Sequence, residues 1–208
     1  MLSVLPEVAK EKCFALHGGT AINLFVRDMP RLSVDIDLTY IPIEDRDTSL
    51  KNIAEALQSI KSNIEKVIPG VKITPRLEAG KLQVSAKGVD VKIEVNLVNR
   101  GALEESKDMQ LCQKAQASFE AFCVMSVISH GQLFGGKIVA ALDRQHPRDL
   151  FDVKYLLEKE GFTDEIKQGF LLCLLCSDRP INEVIKPNFQ NQRSAGPVNW
   201  LRAISANA

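Results

Sequence analysis

Leu50, Ile53, Leu57, Ile60, Ile64 and Val67 recur with polar residues between them. That spacing, close to the ~3.6-residue helical repeat, predicts a helix over 48–67, and Pro69-Gly70 ends it. The rhythm then shortens to alternation. Segments 71–74, 82–86 and 91–97 read as strands separated by turn-rich pieces, and 33–39 reads as another. In that last segment Val34, Ile36 and Leu38 are expected on a buried face and Asp35 and Asp37 on the other. These segments predict a mixed sheet of four or five strands with helices packed on it. From Phe119 onward the pattern becomes helical, through Val139, through 149–157 and through 165–176. The expected fold class is therefore α+β, with an α/β lobe over residues 1–115 and a helical C-terminal lobe over 116–208. The tail, 178–208, carries Pro180, Pro187 and Pro197 and is expected to wrap the surface or be partly mobile.

Two short stretches carry candidate chemistry. In Leu16-His17-Gly18-Gly19-Thr20-Ala21-Ile22-Asn23-Leu24-Phe25 a double glycine opens an amphipathic helix. Glycines allow sharp turning and close approach, and the first helical N–H groups favour a polyanion. Thr20 can cap the helix or donate its hydroxyl. A plain tight turn before a helix explains the same residues. In Ser33-Val34-Asp35-Ile36-Asp37-Leu38 the two carboxylates sit two apart, so an extended chain puts both on one side, roughly 7 Å apart at Cα. Aspartate is a poor strand former, so this placement has a cost, although two solvated aspartates at a strand edge would look alike. A third carboxylate follows in Asp90-Val91-Lys92-Ile93-Glu94-Val95-Asn96-Leu97, where apolar and polar residues alternate. If this strand pairs beside the first, Asp35, Asp37 and Glu94 can share two Mg²⁺ ions about 3.5–4 Å apart, as phosphoryl or nucleotidyl transfer uses them.

The glycine start, the Asp35-x-Asp37 pair and the later acidic strand resemble the nucleotidyltransferase superfold of DNA polymerase β type. More narrowly, Lys92-Ile93-Glu94-Val95-Asn96 with Arg100-Gly101 resembles the AbiEii/AbiGii toxin family, as do Lys137-Ile138-Val139-Ala140-Ala141-Leu142-Asp143-Arg144 and Pro147-Arg148-Asp149-Leu150-Phe151-Asp152-Val153. The similarity covers about residues 12–160. It implies a nucleotidyltransferase, the toxin half of a type IV toxin–antitoxin or abortive-infection system. It further implies a metal set of Asp35, Asp37 and Glu94 holding Mg²⁺ or Mn²⁺, and an active-site role for Lys137 and Asp149. Gly18, Gly19, Thr20, Asn96, Arg144 and Arg148 are the substrate-binding residues it suggests. An NTP donor, a tRNA or other RNA acceptor and a cognate antitoxin are the expected partners. Local physics offers plainer roles for the second pair of motifs. Gly136-Lys137 reads as a helix start with a solvated lysine, and Arg148 with Asp152 as an i,i+4 pair worth a few tenths of a kcal/mol.

Composition narrows the choice of acceptor little. Lys+Arg and Asp+Glu are 26 each, so no global basic field marks a nucleic-acid binder, and an RNA surface must be a local patch drawn from Lys72, Arg76, Lys81, Lys87, Arg144 and Arg148. Cys13, Cys112, Cys123, Cys173 and Cys176 are odd in number and lie in apolar surroundings, as reduced core cysteines do. Cys173-x-x-Cys176 has no second Cys/His pair at zinc-like spacing. His17, His130 and His146 have no partner at a diagnostic spacing, and His17 is notable only for its place beside the glycines. Neither a signal peptide nor a run of about 20 apolar residues is apparent, so a cytoplasmic protein without membrane contact is expected. Two other readings stay open: a transferase acting on a small-molecule or protein hydroxyl, and a non-catalytic module that binds nucleotide or protein.

Overall fold

In a computed structural model that describes residues 1–188, the alternating segments pair into one mixed sheet. Its strands are β1 (Phe14–His17), β2 (Ile36–Tyr40), β3 (Lys72–Arg76), β4 (Lys81–Ala86), β5 (Val89–Asn96), β6 (Lys107–Gln110) and β7 (Val124–Val127), in the order β3-β4-β5-β2-β1-β7-β6. The β2 strand runs antiparallel to β1 on one side and parallel to β5 on the other. The helices are α1 (Leu5–Val8), α2 (Gly18–Ala21), α3 (Arg46–Val67), α4 (Gln113–Phe119), α5 (His130–Arg144), α6 (Pro147–Lys159), α7 (Asp164–Leu175) and α8 (Ile181–Ile185), with a π-helical turn over Ile22–Val26 continuing α2. None of these helices is long and apolar enough to cross a membrane.

The helix α3 follows from its pattern. The Asp45 carboxylate accepts from the Thr48 N–H at 3.0 Å and caps the first turn. Ile53, Leu57, Ile60 and Ile64 are buried on the side that meets β3 and β4, each contributing about 1.5–3 kcal/mol relative to exposure. On the sheet, Phe14, Leu16, Ile36, Leu38, Ile93 and Leu82 form the matching core.

The sheet is wider than the expected four or five strands, and the reason is local. Three residues of β1 are buried in succession, and a strand covered on both faces shows no alternation to read. β6 and β7 are four residues each, too short for a period to emerge, and β7 lies where the chain read as helical. The β2 ladder begins at Ile36, so residues 33–35 precede it, and Val34 is half exposed instead of sharing the buried face of Ile36 and Leu38.

Two compact units result. Met1–Met29 and Ser33–Ile128 form the first, which holds the whole sheet; Pro30–Leu32 and the chain from Ser129 form the second. The sequence-based boundary at 115/116 falls inside the first unit, because β7 pairs with β1 and β6. In the second unit α5 packs against α6, α7 and α8. A methyl group on Gly135 would come 2.2 Å from the Phe170 backbone nitrogen, so α5 and α7 touch backbone to backbone there. Gly135-Gly136 is accordingly a packing site within a helix that starts at His130, and Lys137 sits in mid-helix rather than in a first turn. Residues 181–185 of the tail form α8, and the expectation for 189–208 lies outside the described residues.

Candidate active site

The carboxylates of the first unit are arranged by strand register. Parallel pairing sets Asp37 opposite Glu94, and the same register carried back one step sets Asp35 level with Lys92. β1 places His17 opposite Asp37 on the other side, and the His17 ring meets the Thr39 hydroxyl at 3.0 Å. Gly18 takes φ +72°, and a Cβ there would lie 2.5 Å from the Asp37 Oδ2. The bare glycine therefore lets the turn after β1 press against the Asp37 carboxylate. Thr20 is fully buried and its hydroxyl donates to the Asp35 carbonyl, which ties α2 to the segment carrying Asp35. The Gly19 carbonyl accepts from the Asn23 amide at 2.9 Å. Asn96 ends β5 by accepting from the backbone N–H groups of Val98 and Asn99 at 3.0 and 2.8 Å.

Glu94 has lysines on both oxygens, Lys81 at 2.8 Å on Oε1 and Lys92 at 2.8 Å on Oε2. Burial pushes the Glu94 carboxyl up, and the hydrogen bonds from Lys81 and Lys92 more than offset this, leaving it below its ordinary value. Lys92 is raised by its hydrogen bond to Glu94 and then, against desolvation, by the charges of Glu94, Asp35 and Asp37. As donors for Mg²⁺ or Mn²⁺ the three carboxylates have suitable hard oxygens. Their placement does not fit a shared two-metal centre: Glu94 is held by ammonium groups, Asp35 precedes the strand, and among the described residues no three His, Cys, Asp or Glu side chains gather as a metal site.

The second unit holds a buried cluster of charges. Lys137, on α5, reaches Asp149 Oδ1 at 2.7 Å and Asp152 Oδ2 at 3.3 Å, both on α6. Arg144 Nε closes on Asp149 Oδ2 at 2.7 Å. Arg31 takes Asp152 in a fork, Nε on Oδ1 at 2.8 Å and Nη2 on Oδ2, while its Nη1 donates to the Leu32 carbonyl at 2.9 Å. Arg31, Lys137, Asp149 and Asp152 are all buried; Arg144 is exposed. Burial acts to raise Asp149, and the Lys137 charge with the Arg144 hydrogen bond outweighs it, so the carboxyl lies below its usual value. Among these five groups three cations face two carboxylates, a surplus of one positive charge suited to an anionic ligand.

The structure thus brings Lys137 and Asp149 into direct contact. It does not form the expected Arg148–Asp152 pair: Arg148 is exposed, and Asp152 turns inward to Arg31 and Lys137 because α6 buries the side bearing Asp149, Asp152 and Leu156. Reading from sequence missed Arg31, whose partner is 121 residues away. It also missed that side of α6, although a signal was present. Leu150 and Leu157 are exposed while two aspartates take core positions, the reverse of an ordinary amphipathic helix.

The mixed seven-stranded sheet with helices packed on it has the fold of a known nucleotidyltransferase toxin. Residues 1–205 match the family described as nucleotidyl transferase AbiEii toxin, type IV toxin–antitoxin system, and the chain belongs to that family. Among solved structures it is similar to MenT4, a nucleotidyltransferase toxin of Mycobacterium tuberculosis, with a TM-score of 0.67 at 13% identity over 99% of this chain and 79% of that one. Weaker likenesses are to a Helicobacter pylori protein (TM-score 0.49, 15% identity, 88% and 83% of the two chains) and to an antigenic nucleotidyltransferase-like protein of Paracoccidioides brasiliensis (0.45, 16%, 92% and 94%). No curated protein matches the sequence.

Proposed function

We propose that this nucleotidyltransferase toxin transfers a nucleotide from an NTP to a hydroxyl of an RNA acceptor, tRNA being the first candidate, and that a cognate antitoxin restrains it. In the reaction the acceptor hydroxyl releases its proton to solvent as its oxygen bonds to the α-phosphorus, the bond from that phosphorus to the oxygen bridging to the β-phosphate breaks, and pyrophosphate leaves with the electron pair. Support comes foremost from the parallel β2–β5 register, which aligns Asp37 with Glu94 in a chain of this family. Gly18 lets the turn after β1 close on Asp37, and Thr20 ties that turn to the segment carrying Asp35, so the backbone of Gly18 and Gly19 is the stretch we assign to phosphate. Lys137 supplies a countercharge for the polyphosphate, and Asp149 holds it by direct contact. Arg144 and Arg148, both exposed, are the cations of this unit offered to the acceptor. With Glu94 held by Lys81 and Lys92, Asp37 is the carboxylate we assign to a divalent ion, Mg²⁺ or Mn²⁺.

The test incubates purified protein with each α-labelled NTP and total RNA, with Mg²⁺, with Mn²⁺ and with chelator. Label is expected on RNA in the presence of metal, and Asp37→Asn should reduce it by at least a hundredfold while the protein stays folded. Label appearing on protein or on small molecules would move the acceptor to another class. No transfer from any NTP would overturn the proposal.

A further inference from the structure

The Lys137 ammonium has three donors, and two of them are directed by carboxylates that are themselves fixed. Asp149 is steadied by Arg144, and Asp152 by the two-pronged hold of Arg31. A guanidinium bound to both carboxylate oxygens prevents the carboxylate from turning, which a lysine at the same position cannot do. The Asp152 Oδ2 that Arg31 holds is the same atom that Lys137 meets at 3.3 Å. With Arg31 and Asp152 side chains only 4% and 1% exposed, water does not compete for these bonds.

We propose that Arg31 and Asp152 are positioning residues for Lys137, fixing where its ammonium presents charge to the polyphosphate of the substrate. The inference rests on the nucleotidyl-transfer reading, which assigns Lys137 to the polyphosphate. A role as a source of charge and a role in positioning make opposite predictions. Asp152→Asn raises the surplus of the cluster from one positive charge to two, so charge alone would tighten binding of an anion. Loss of the fixed carboxylate would weaken it. Arg31→Lys keeps the charge and loses the fork.

Inorganic tripolyphosphate, titrated calorimetrically into the full chain, reads this directly, with a thermal melt of each variant to establish that it is folded. Wild type is expected to bind, and Asp152→Asn and Arg31→Lys to bind at least tenfold more weakly. Asp143→Asn, which cuts the partly exposed pair with Arg179, should stay within twofold of wild type. If Arg31→Lys does not fold, Asp152→Asn, the same shape with one acceptor retained, decides alone. Binding by Asp152→Asn that equals or exceeds wild type overturns the inference and leaves the transfer reading intact. Failure of wild type to bind tripolyphosphate overturns both.

Discussion

Replacing Gly18 with alanine perturbs one atom and two energies. At φ +72° an L-residue meets its own carbonyl, at a cost of roughly 1–2 kcal/mol. The new Cβ would stand 2.5 Å from Asp37 Oδ2 and 3.2 Å from the Asp37 Cβ and Cγ. Relieving that contact moves the carboxylate by roughly half an ångström or more, and overpacking of this kind adds about 1–3 kcal/mol. Gly70 supplies the control: its φ is +74° and nothing lies within 4 Å of the Cβ position, so Gly70→Ala carries the backbone strain without the collision. At about 2–4 °C per kcal/mol for a chain of this size, Gly70→Ala should lower the melting temperature by about 2–8 °C, and Gly18→Ala by about 4–20 °C. Activity separates the two further. Because a displacement near 1 Å at a reacting group costs about a hundredfold, Gly18→Ala should transfer nucleotide at roughly a tenth to a hundredth of the wild-type rate. Gly70→Ala should be unimpaired. Equal melting of the two variants, together with wild-type turnover by Gly18→Ala, would refute the claim that this glycine is required by the Asp37 carboxylate.

Lys137→Met should weaken NTP binding at least tenfold, measured by competition with a fluorescent nucleotide; unchanged affinity would remove Lys137 from the polyphosphate. Asp149 has a depressed carboxyl pKa, so its stabilisation is complete above the unfolded value of about 3.9 and is lost as pH falls through the folded one. Melting of the wild type should therefore drop below about pH 4, and Asp149→Asn should flatten that drop; parallel curves would show that the group is not coupled to folding. Burial, with help from the Glu11 charge, pushes the Cys13 thiol up to about 11, and burial does the same for Cys123. At pH 8 only about a thousandth of either is thiolate, so iodoacetamide should label both more than fiftyfold slower than a peptide cysteine, as read by mass spectrometry.

Elements whose pattern lies within one segment were legible. The 22-residue α3 declares itself by its period and its cap, and β4 and β5 by alternation between a covered side and an open one. Asp35, Asp37 and Glu94 stood out because carboxylates in strand-like segments are costly and therefore rare. Their relation to the lysines was not legible, because it depends on register: Lys81 faces Glu94 only once β4 has paired with β5. The resemblance singles out Lys137 and Asp149; local reading places Asp149 correctly in the first turn of α6 but puts Lys137 at a helix start, whereas it lies in the middle of α5. Sequence spacing favours local partners such as Arg148 and Asp152, whereas burial of the acidic side of α6 commits Asp152 to a guanidinium distant in the chain.

The excursion of Pro30–Leu32 into the helical unit sets an order on the birth of the protein. Arg31 is synthesised 121 residues ahead of Asp152, a delay of about 6–24 s at ~5–20 residues per second. Throughout that interval the guanidinium lacks its carboxylate, and no chain interrupted before α6 has the pair of aspartates that directs Lys137. A fragment beginning at Ser129 has the opposite defect, with Asp152 buried and Arg31 missing, a loss of the size, about 3–5 kcal/mol, that accompanies breaking a buried ion pair. Arg31 and α6 both have to be present before the cluster exists. A ribosome making this toxin therefore carries an unassembled charge cluster until α6 has emerged.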